Sequence, residues 1–354
     1  MKIGIIIGSL GFGGAERVTI RLAEWWVKKN WNVSIFTTMC PPEHEYKLPA
    51  GANRIYCHTN GSGVSLIKTL RNSIKNDRPD VVIIMDTPMC VYCVPALLGL
   101  RIPFIVSERS APNTNAIKKI TRYLSHFFMN AADGFVFQTN GAKKYYNNRI
   151  QKRSDVIANP LDLDTLPEPF HGQKSKRIVA VGRLIPAKNY PLLINAFERF
   201  LESHYDFCLE IYGDGPERAK IEHIVSKSPA AQKIHLMGSY SDVLQRITDA
   251  AVYVLSSNLE GMPNALIEAM ALGIPSISTD CPPGGPADLI TNMENGLLVP
   301  INDPSKLADA MGVLVDNCEF SENISKNSVN IRERLKIDVI GAKWDSAIEK
   351  HIKH

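Results

Sequence analysis

Three short segments gather residue types suited to holding a phosphorylated sugar. The first is Ser256-Ser257-Asn258-Leu259-Glu260-Gly261-Met262-Pro263-Asn264-Ala265-Leu266-Ile267-Glu268. Glu260 and Glu268 stand eight residues apart, one in the loop after a strand and one about two turns along the helix that follows. Glu268 would point back toward the strand ends, where a carboxylate can accept both hydroxyls of a ribose, and Glu260 can accept hydroxyls of a sugar. Between them the backbone of Gly261, Met262, Pro263, Asn264 and Ala265 forms a helix N-terminus suited to phosphate. Two glutamates at this spacing are weak evidence alone; the Gly-Met-Pro-Asn turn between them makes the pattern specific. The second segment is Val181-Gly182-Arg183-Leu184-Ile185-Pro186-Ala187-Lys188-Asn189. Arg183 and Lys188, five apart in one strand-to-helix loop, can clamp a diphosphate and neutralise charge developing on it. The third is Gly8-Ser9-Leu10-Gly11-Phe12-Gly13-Gly14-Ala15-Glu16-Arg17, whose glycines admit a ligand close to the backbone at a helix start. A dinucleotide fingerprint would require glycine where Glu16 stands and an acid where the next strand ends in Thr37-Thr38-Met39. An anion- or sugar-binding loop is the reading that remains.

The elements that must position these loops alternate. Short apolar runs over 2–8, 33–38, 81–85, 104–107 and 134–138 read as strands of a buried parallel sheet, with a helical period over 15–29 that carries Leu22, Trp25 and Trp26. The pattern breaks over 159–176, where Asn159-Pro160, Pro167, Pro169 and His171-Gly172 are turn and linker residues. Alternation then restarts: strands over 177–181, 207–212, 233–237, 252–256, 276–278 and 296–299, with helices over 190–203, 217–227, 241–250 and 264–272. Two doubly wound α/β domains follow, 1–165 and 170–335, with an amphipathic segment over 336–354 that includes Trp344 and Ile348. Ligands of such sheets bind at the carboxyl ends of the strands, so the expected site is a cleft between the domains.

Composition narrows the class. Of 354 residues, 45% are hydrophobic and 21% charged, as in a globular protein. No stretch approaches the roughly 18 apolar residues of a membrane span, and the first residues lack a signal peptide's apolar segment and cleavage site. The expected location is therefore the cytoplasm. Seven cysteines form no disulfide framework, and Cys90-Val91-Tyr92-Cys93 has no partner pair at metal-ligand spacing, so buried free thiols are expected. Residues 1–165 hold 21 Lys and Arg against 12 Asp and Glu, a net of +9; the remainder nets −5. A basic first half suits an anionic partner such as phosphate or an acidic membrane face. Clusters at Lys118-Lys119 with Arg122, and at Lys143-Lys144 with Arg149 around Tyr145-Tyr146, suit a solvated helix face or a binding patch equally. No zinc finger, RNP-like motif or long basic run indicates nucleic acid.

Taken together the motifs resemble the retaining glycosyltransferases of family 4, which have the two-domain GT-B fold. The resemblance runs through Gly13-Gly14-Ala15-Glu16, Asn159-Pro160-Leu161-Asp162, Gly182-Arg183 with Lys188, and Gly213-Asp214-Gly215-Pro216. It continues from Glu260 to Glu268 and ends at Gly284-Gly285-Pro286 and Asn295-Gly296-Leu297-Leu298-Val299. It implies an acceptor-binding first domain and a second domain that binds a nucleotide sugar, with uridine as the expected base and galactose, GalNAc or glucose as the sugar. Arg183 and Lys188 would hold the donor diphosphate and stabilise the leaving group, and Glu260 would act with them in catalysis. Glu268 would hold the ribose. Gly14, Gly182, Gly213, Gly238 and residues Gly261, Met262, Pro263, Asn264 and Ala265 would line the donor. Gly13, Glu16, Glu108 and Arg109 would face the acceptor. The resemblance further implies no cofactor and no divalent metal, and Asp162-Leu163-Asp164 in the linker reads as turn chemistry. It also implies a lipid-linked or oligosaccharide acceptor, contact with an anionic membrane at its inner face, and packing of the 340–354 helix on the first domain. One departure stands out. Many members carry a histidine after a mid-domain strand, whereas here 104–106 is followed by Ser107-Glu108-Arg109-Ser110-Ala111-Pro112. That turn resembles the subgroup that builds bacterial capsule, O-antigen and glycoprotein glycans; Glu108 and Arg109 either take over sugar contacts or pair with one another. A UDP-N-acetylglucosamine epimerase of the same architecture, or a non-catalytic sugar-nucleotide binder, is the alternative.

Overall fold

The structure, a computed structural model, describes residues 1–59, 61–110 and 119–352. Ala111, Pro112, Lys118, the side chain of Lys119 and the last two residues of the 340–354 segment lie outside that description. Two compact units divide the chain: Met1–Pro160 together with Leu335–His354, and Leu161–Arg334. Among the described residues no helix is long and apolar enough to cross a membrane.

Each unit is built on one parallel sheet. The first contains β1 (Lys2–Ile7), β2 (Asn32–Thr37), β3 (Ala52–Tyr56), β4 (Val81–Ile84), β5 (Phe104–Glu108), β6 (Gly134–Phe137) and β7 (Ser154–Val156), in the order β3-β2-β1-β4-β5-β6-β7. The second contains β8 (Ser175–Val181), β9 (Cys208–Tyr212), β10 (Ile234–Gly238), β11 (Ala250–Leu255), β12 (Ser276–Thr279) and β13 (Leu297–Val299), in the order β10-β9-β8-β11-β12-β13. Central strands such as Val81–Ile84 are buried on both faces, so they read as unbroken apolar runs rather than alternating ones. Both sheets start in the middle, wind outward on one side, then return to the other. The loops leaving β1 and β4, and those leaving β8 and β11, therefore diverge at a topological switch point, which opens a crevice at the carboxyl ends of the strands. All three glycine- and charge-bearing segments fall at these points.

Several elements escape the sequence reading, each for a local reason. β3 is a half-exposed edge strand with Asn53 and Arg54 in it, and β7 has three residues. The Gly63–Asp77 helix buries only Leu70 and Ile74, and the Cys90–Leu97 helix is apolar on every side and so shows no period. The helix expected over 241–250 contracts to Val243–Ile247, because Ala250 already pairs with Ser175 as the first residue of β11.

The Ile337–Ile352 helix belongs to the first unit, packed on the Gly14–Lys28 helix and on β5 and β6. Its anchor is Asp345, 7% exposed. Asp345 Oδ1 accepts from Trp26 Nε1 at 2.8 Å, while Oδ2 accepts from Trp25 Nε1 at 3.2 Å and Lys29 Nζ at 2.6 Å. Trp344 meets Trp26 edge to face with ring centroids 6.3 Å apart. The helices approach this closely because residue 341 is glycine: a Cβ there would lie 2.5 Å from Trp25 Cε2. Asp345→Ala leaves the buried Trp26 indole N–H without its acceptor and removes the half-buried bonds from Trp25 and Lys29, a loss of about 1–3 kcal/mol. The melting temperature should fall by roughly 5–10 °C in a calorimetric scan; an unchanged transition would show that the helix is held by its apolar face alone.

Candidate active site

In the second unit, two distant segments are sewn together at the β8/β11 switch. Lys188 ends a short turn, Pro186–Lys188, and Asn189 in the left-handed region (φ 47°) starts the Tyr190–Leu201 helix and caps it. Asn258 N donates to Ala187 O at 2.8 Å, and Ser256 Oγ donates to Lys188 O at 2.9 Å. These bonds bring the Lys188 ammonium into a direct ion pair with Glu260 Oε1, both side chains about one-sixth exposed. Ser257 Oγ donates to the same oxygen at 2.8 Å, and Glu260 N donates to Pro282 O at 3.0 Å. Arg183, five residues before Lys188, is exposed, and its side chain has no partner among the described residues. Of the two cations expected to clamp a diphosphate, one is thus open and the other is held by a carboxylate.

The Asn264–Ala271 helix starts just beyond Glu260, and its N-cap residue, Pro263, makes no side-chain cap bond. Its first-turn amides suit an anion. Met262 and Pro263 are buried, Gly261, Asn264 and Ala265 partly so, and Glu268 in the second turn is 8% exposed. Tyr253, which the sequence reading missed, lies wholly buried on β11 close to Tyr190, Glu260 and Glu268, with its hydroxyl unpartnered among the described residues. Burial and then those neighbours push its phenol well up. Tyr190 Oη donates to Gly182 O at 2.9 Å. The remaining glycines come together in register at the strand ends. Gly213 (φ 136°) donates its N–H to Gly238 O at 2.8 Å, and a Cβ on it would stand 2.0 Å from Gly182 O. Gly285 is equally constrained, since a Cβ there would meet Gly261 O at 1.7 Å.

In the first unit, Gly13 precedes the Gly14–Lys28 helix in extended conformation, again without a side-chain cap from its own position. The Glu16 carboxylate folds back over it, so that a Cβ on Gly13 would lie 2.2 Å from Oε2. Glu108 is 3% exposed at the end of β5. Its Oε1 accepts from Ser110 N at 3.1 Å and Ser110 Oγ at 2.7 Å, and its Oε2 accepts from Tyr146 Oη at 3.0 Å. Arg109, the next residue, turns to other partners because successive extended residues point to opposite faces. Its Nε donates to Ser107 Oγ at 2.7 Å and its Nη1 to Asn159 Oδ1 at 3.2 Å, with the guanidinium 5.1 Å from the Trp344 ring centre. The local Glu108–Arg109 ion pair weighed above is therefore absent. Burial pushes the Arg109 guanidinium down to about 9, still charged at neutral pH.

Asp86, at the end of β4 beside β1, escaped the sequence reading. Its Oδ1 is sealed from solvent and has no hydrogen-bond partner among the described residues. Burial first, then the charges of Glu108 and Glu16, push its carboxyl up to about 7. The available signal was its place, the first polar residue after a fully apolar strand at the switch point. Cys90 and Cys93 are buried free thiols, both pushed up by burial. Asp162 serves its own turn, with Oδ1 accepting from Asp164 N at 3.3 Å and Oδ2 from Thr165 Oγ1 at 2.7 Å.

The Asp86 shift has a measurable sign. An unfolded aspartate ionises near 3.9 and the folded one near 7. Between these values the folded chain holds the extra proton, so its stability falls as pH rises through that window. Asp86→Asn should melt several degrees above the parent at pH 8 and no higher at pH 4, in calorimetric scans across pH. A pH-independent difference would return Asp86 to an ordinary carboxylate.

Comparison with known proteins agrees with this architecture. A family model described as Glycosyltransferase Family 4 matches residues 12–165, and one described as Glycosyl transferases group 1 matches residues 165–330. The GalNAc-alpha-(1->4)-GalNAc-alpha-(1->3)-diNAcBac-PP-undecaprenol alpha-1,4-N-acetyl-D-galactosaminyltransferase of Campylobacter jejuni is 28% identical over 358 residues, 97% of each chain. An uncharacterized glycosyltransferase of Haemophilus influenzae is 26% identical over 357 residues, 97% of this chain and 98% of that one. The crystal structure of HepE from Anabaena in complex with UDP superposes with a TM-score of 0.83 at 14% identity, covering 99% of this chain and all of the other. With the two models meeting at residue 165 and the parallel-sheet units matching in fold, the chain is a glycosyltransferase of the GT-B fold.

Proposed function

We propose that the chain transfers a hexose or N-acetylhexosamine, with retention of configuration and without a metal ion, from a UDP-sugar to a lipid-linked or glycan acceptor of a bacterial surface polysaccharide or glycoprotein glycan. The observation that carries this reading is the Lys188–Glu260 pair, buttressed by Ser257 and set between an open Arg183 and a helix N-terminus. A donor diphosphate entering there meets Arg183 and the first amides of the Asn264–Ala271 helix. Lys188 can then exchange the carboxylate for phosphate, which frees Glu260 to accept hydroxyls of the donor sugar. The leaving diphosphate keeps the positive field of Lys188, Arg183 and the helix end, worth most in a site screened from water. Glu268 takes the ribose hydroxyls. On the first unit, Gly13 leaves room for the acceptor beside the helix start, and Glu16, Glu108 and Asp86 offer carboxyl oxygens to its hydroxyls. Arg109, the residue that follows β5, points the other way and holds Asn159 in place.

The uridine base draws support from the UDP complex of the Anabaena structure, and the lipid-linked acceptor from the undecaprenol diphosphate in the Campylobacter relative's name. A thermal-shift panel of UDP, GDP, ADP and their sugars, with and without EDTA, tests the donor. UDP at about 100 times its dissociation constant should stabilise by roughly 2.7 kcal/mol, unchanged by EDTA. Glu268→Ala should abolish that shift, and Lys188→Ala should lower the rate of UDP release with acceptor by roughly 100- to 1,000-fold. NMR of the product anomer reads retention. A shift with another nucleotide, or one that needs a divalent ion, would overturn the donor assignment.

A further inference from the structure

Tyr253 is wholly buried on β11, yet its hydroxyl has no hydrogen-bond partner among the described residues. An unpaired buried hydroxyl costs stability, and native chains keep few of them. Its strand neighbours, Val252 and Val254, turn into the core with Leu193, Phe197 and Met311. Successive strand residues alternate, so Tyr253 points to the opposite face, where it lies close to Glu260 and Glu268. Burial pushes its phenol well up, so the hydroxyl keeps its proton and remains a donor. Tyr190, the phenol beside it, is already committed to Gly182 O at 2.9 Å.

Glu260 is the neighbouring acceptor whose surroundings change when a donor binds. In the free chain its Oε1 accepts from the Lys188 ammonium and the Ser257 hydroxyl, and its Oε2 has no hydrogen-bond partner among the described residues. A diphosphate that draws Lys188 away leaves a largely buried carboxylate without its cation, and such a group needs new donors. We propose that Tyr253 is a positioning residue for Glu260: its hydroxyl donates to the Glu260 carboxylate once the donor diphosphate has drawn Lys188 away. One carboxylate oxygen is then held by the protein while the other meets the sugar hydroxyls. The ammonium goes wholly to the leaving diphosphate. A neutral donor takes its place at Glu260, which therefore keeps its negative charge beside the sugar. The inference rests on the UDP-sugar reading above and deepens it, by naming the residue that orients Glu260 in the loaded site.

The test reads coupling between Tyr253 and the ion pair, first in melting temperatures of the full chain without ligand. Tyr253→Phe should melt at or above the parent, since the hydroxyl it removes is unpaired. In the Lys188→Ala background Glu260 has lost its cation without any ligand, so the hydroxyl is engaged there. Tyr253→Phe should then lower the melting temperature by several degrees. Lys188→Met serves the same comparison if the alanine variant does not fold. Calorimetric titration with UDP is the second reading. Tyr253→Phe should bind UDP about 10- to 100-fold more weakly than the parent, as for loss of one hydrogen bond to a charged group. In a Glu260→Ala background the same substitution should change the affinity by less than about twofold. An effect of Tyr253→Phe on melting that is the same with and without Lys188 would overturn the proposal. So would equal UDP affinity of the phenylalanine variant and the parent, which would leave Tyr253 an ordinary buried phenol. If the parent binds no UDP while the melting temperatures show the coupling, the donor assignment falls and the link from Tyr253 to Glu260 stands.

Discussion

The ion pair between Lys188 and Glu260 is the contact on which the candidate site depends. The two residues are brought together because β8 and β11 are neighbours at the centre of the second sheet, where the winding reverses. A backbone bond from Asn258 N to Ala187 O and a bond from the Ser256 hydroxyl to Lys188 O hold the two loops in register. The pair satisfies both charges in the protein alone, while Arg183 stays open. An anionic ligand then has one unpaired cation to meet and a second that it can win from its carboxylate.

The first unit sets up the opposite electrostatics at the corresponding place in its own sheet. Glu16 in the first turn of the helix after β1, Asp86 just beyond β4 and Glu108 at the last position of β5 all lie at the carboxyl edge of the sheet. Glu108 already accepts from Ser110 and Tyr146, and burial first, then the charges of Glu108 and Glu16, raise the Asp86 carboxyl, which takes up a proton near neutral pH. A protonated carboxyl both donates and accepts, which suits sugar hydroxyls better than three bare carboxylates would. The unit's net positive charge is thus a property of its outer surface and not of this pocket of acids.

Arg109 and Asp345 show how charged groups can be structural in the same unit. Arg109 fixes Asn159, the penultimate residue before the second unit begins, and stacks on Trp344. Asp345 in turn holds Trp25, Trp26 and Lys29. The Ile337–Ile352 helix therefore joins the Gly14–Lys28 helix through the buried Trp26–Asp345 bond and its half-buried neighbours, and meets Arg109 at the end of β5 through the Trp344 ring.

Much of the fold was legible because its signals are local. Apolar runs on either side of Gly8 and Gly182 announce buried parallel strands, and the Gly-Met-Pro-Asn turn with its flanking glutamates announces a helix start built for phosphate. The short-range rules of strand burial and helix capping suffice for these features, and they located the segments of both units that lie at the switch points. Edge strand β3 and the apolar Cys90–Leu97 helix lacked such a signal, the one half-exposed and the other without a period. What the chain alone left open were relations between distant residues. The sequence presents Lys188 and Glu260 as two candidates, and only the adjacency of β8 and β11 makes them partners. It presents Glu108 and Arg109 as a possible pair, and only the pleat of β5, with Tyr146 on one side and Asn159 on the other, separates them. It passes over Asp86, whose raised carboxyl depends on burial and on two acids 70 and 22 residues away in the chain. Periodicity and turn chemistry act over a few residues and can be read from the string, whereas desolvation and charge pairing depend on which strands lie side by side, and that is decided only when the sheet is assembled.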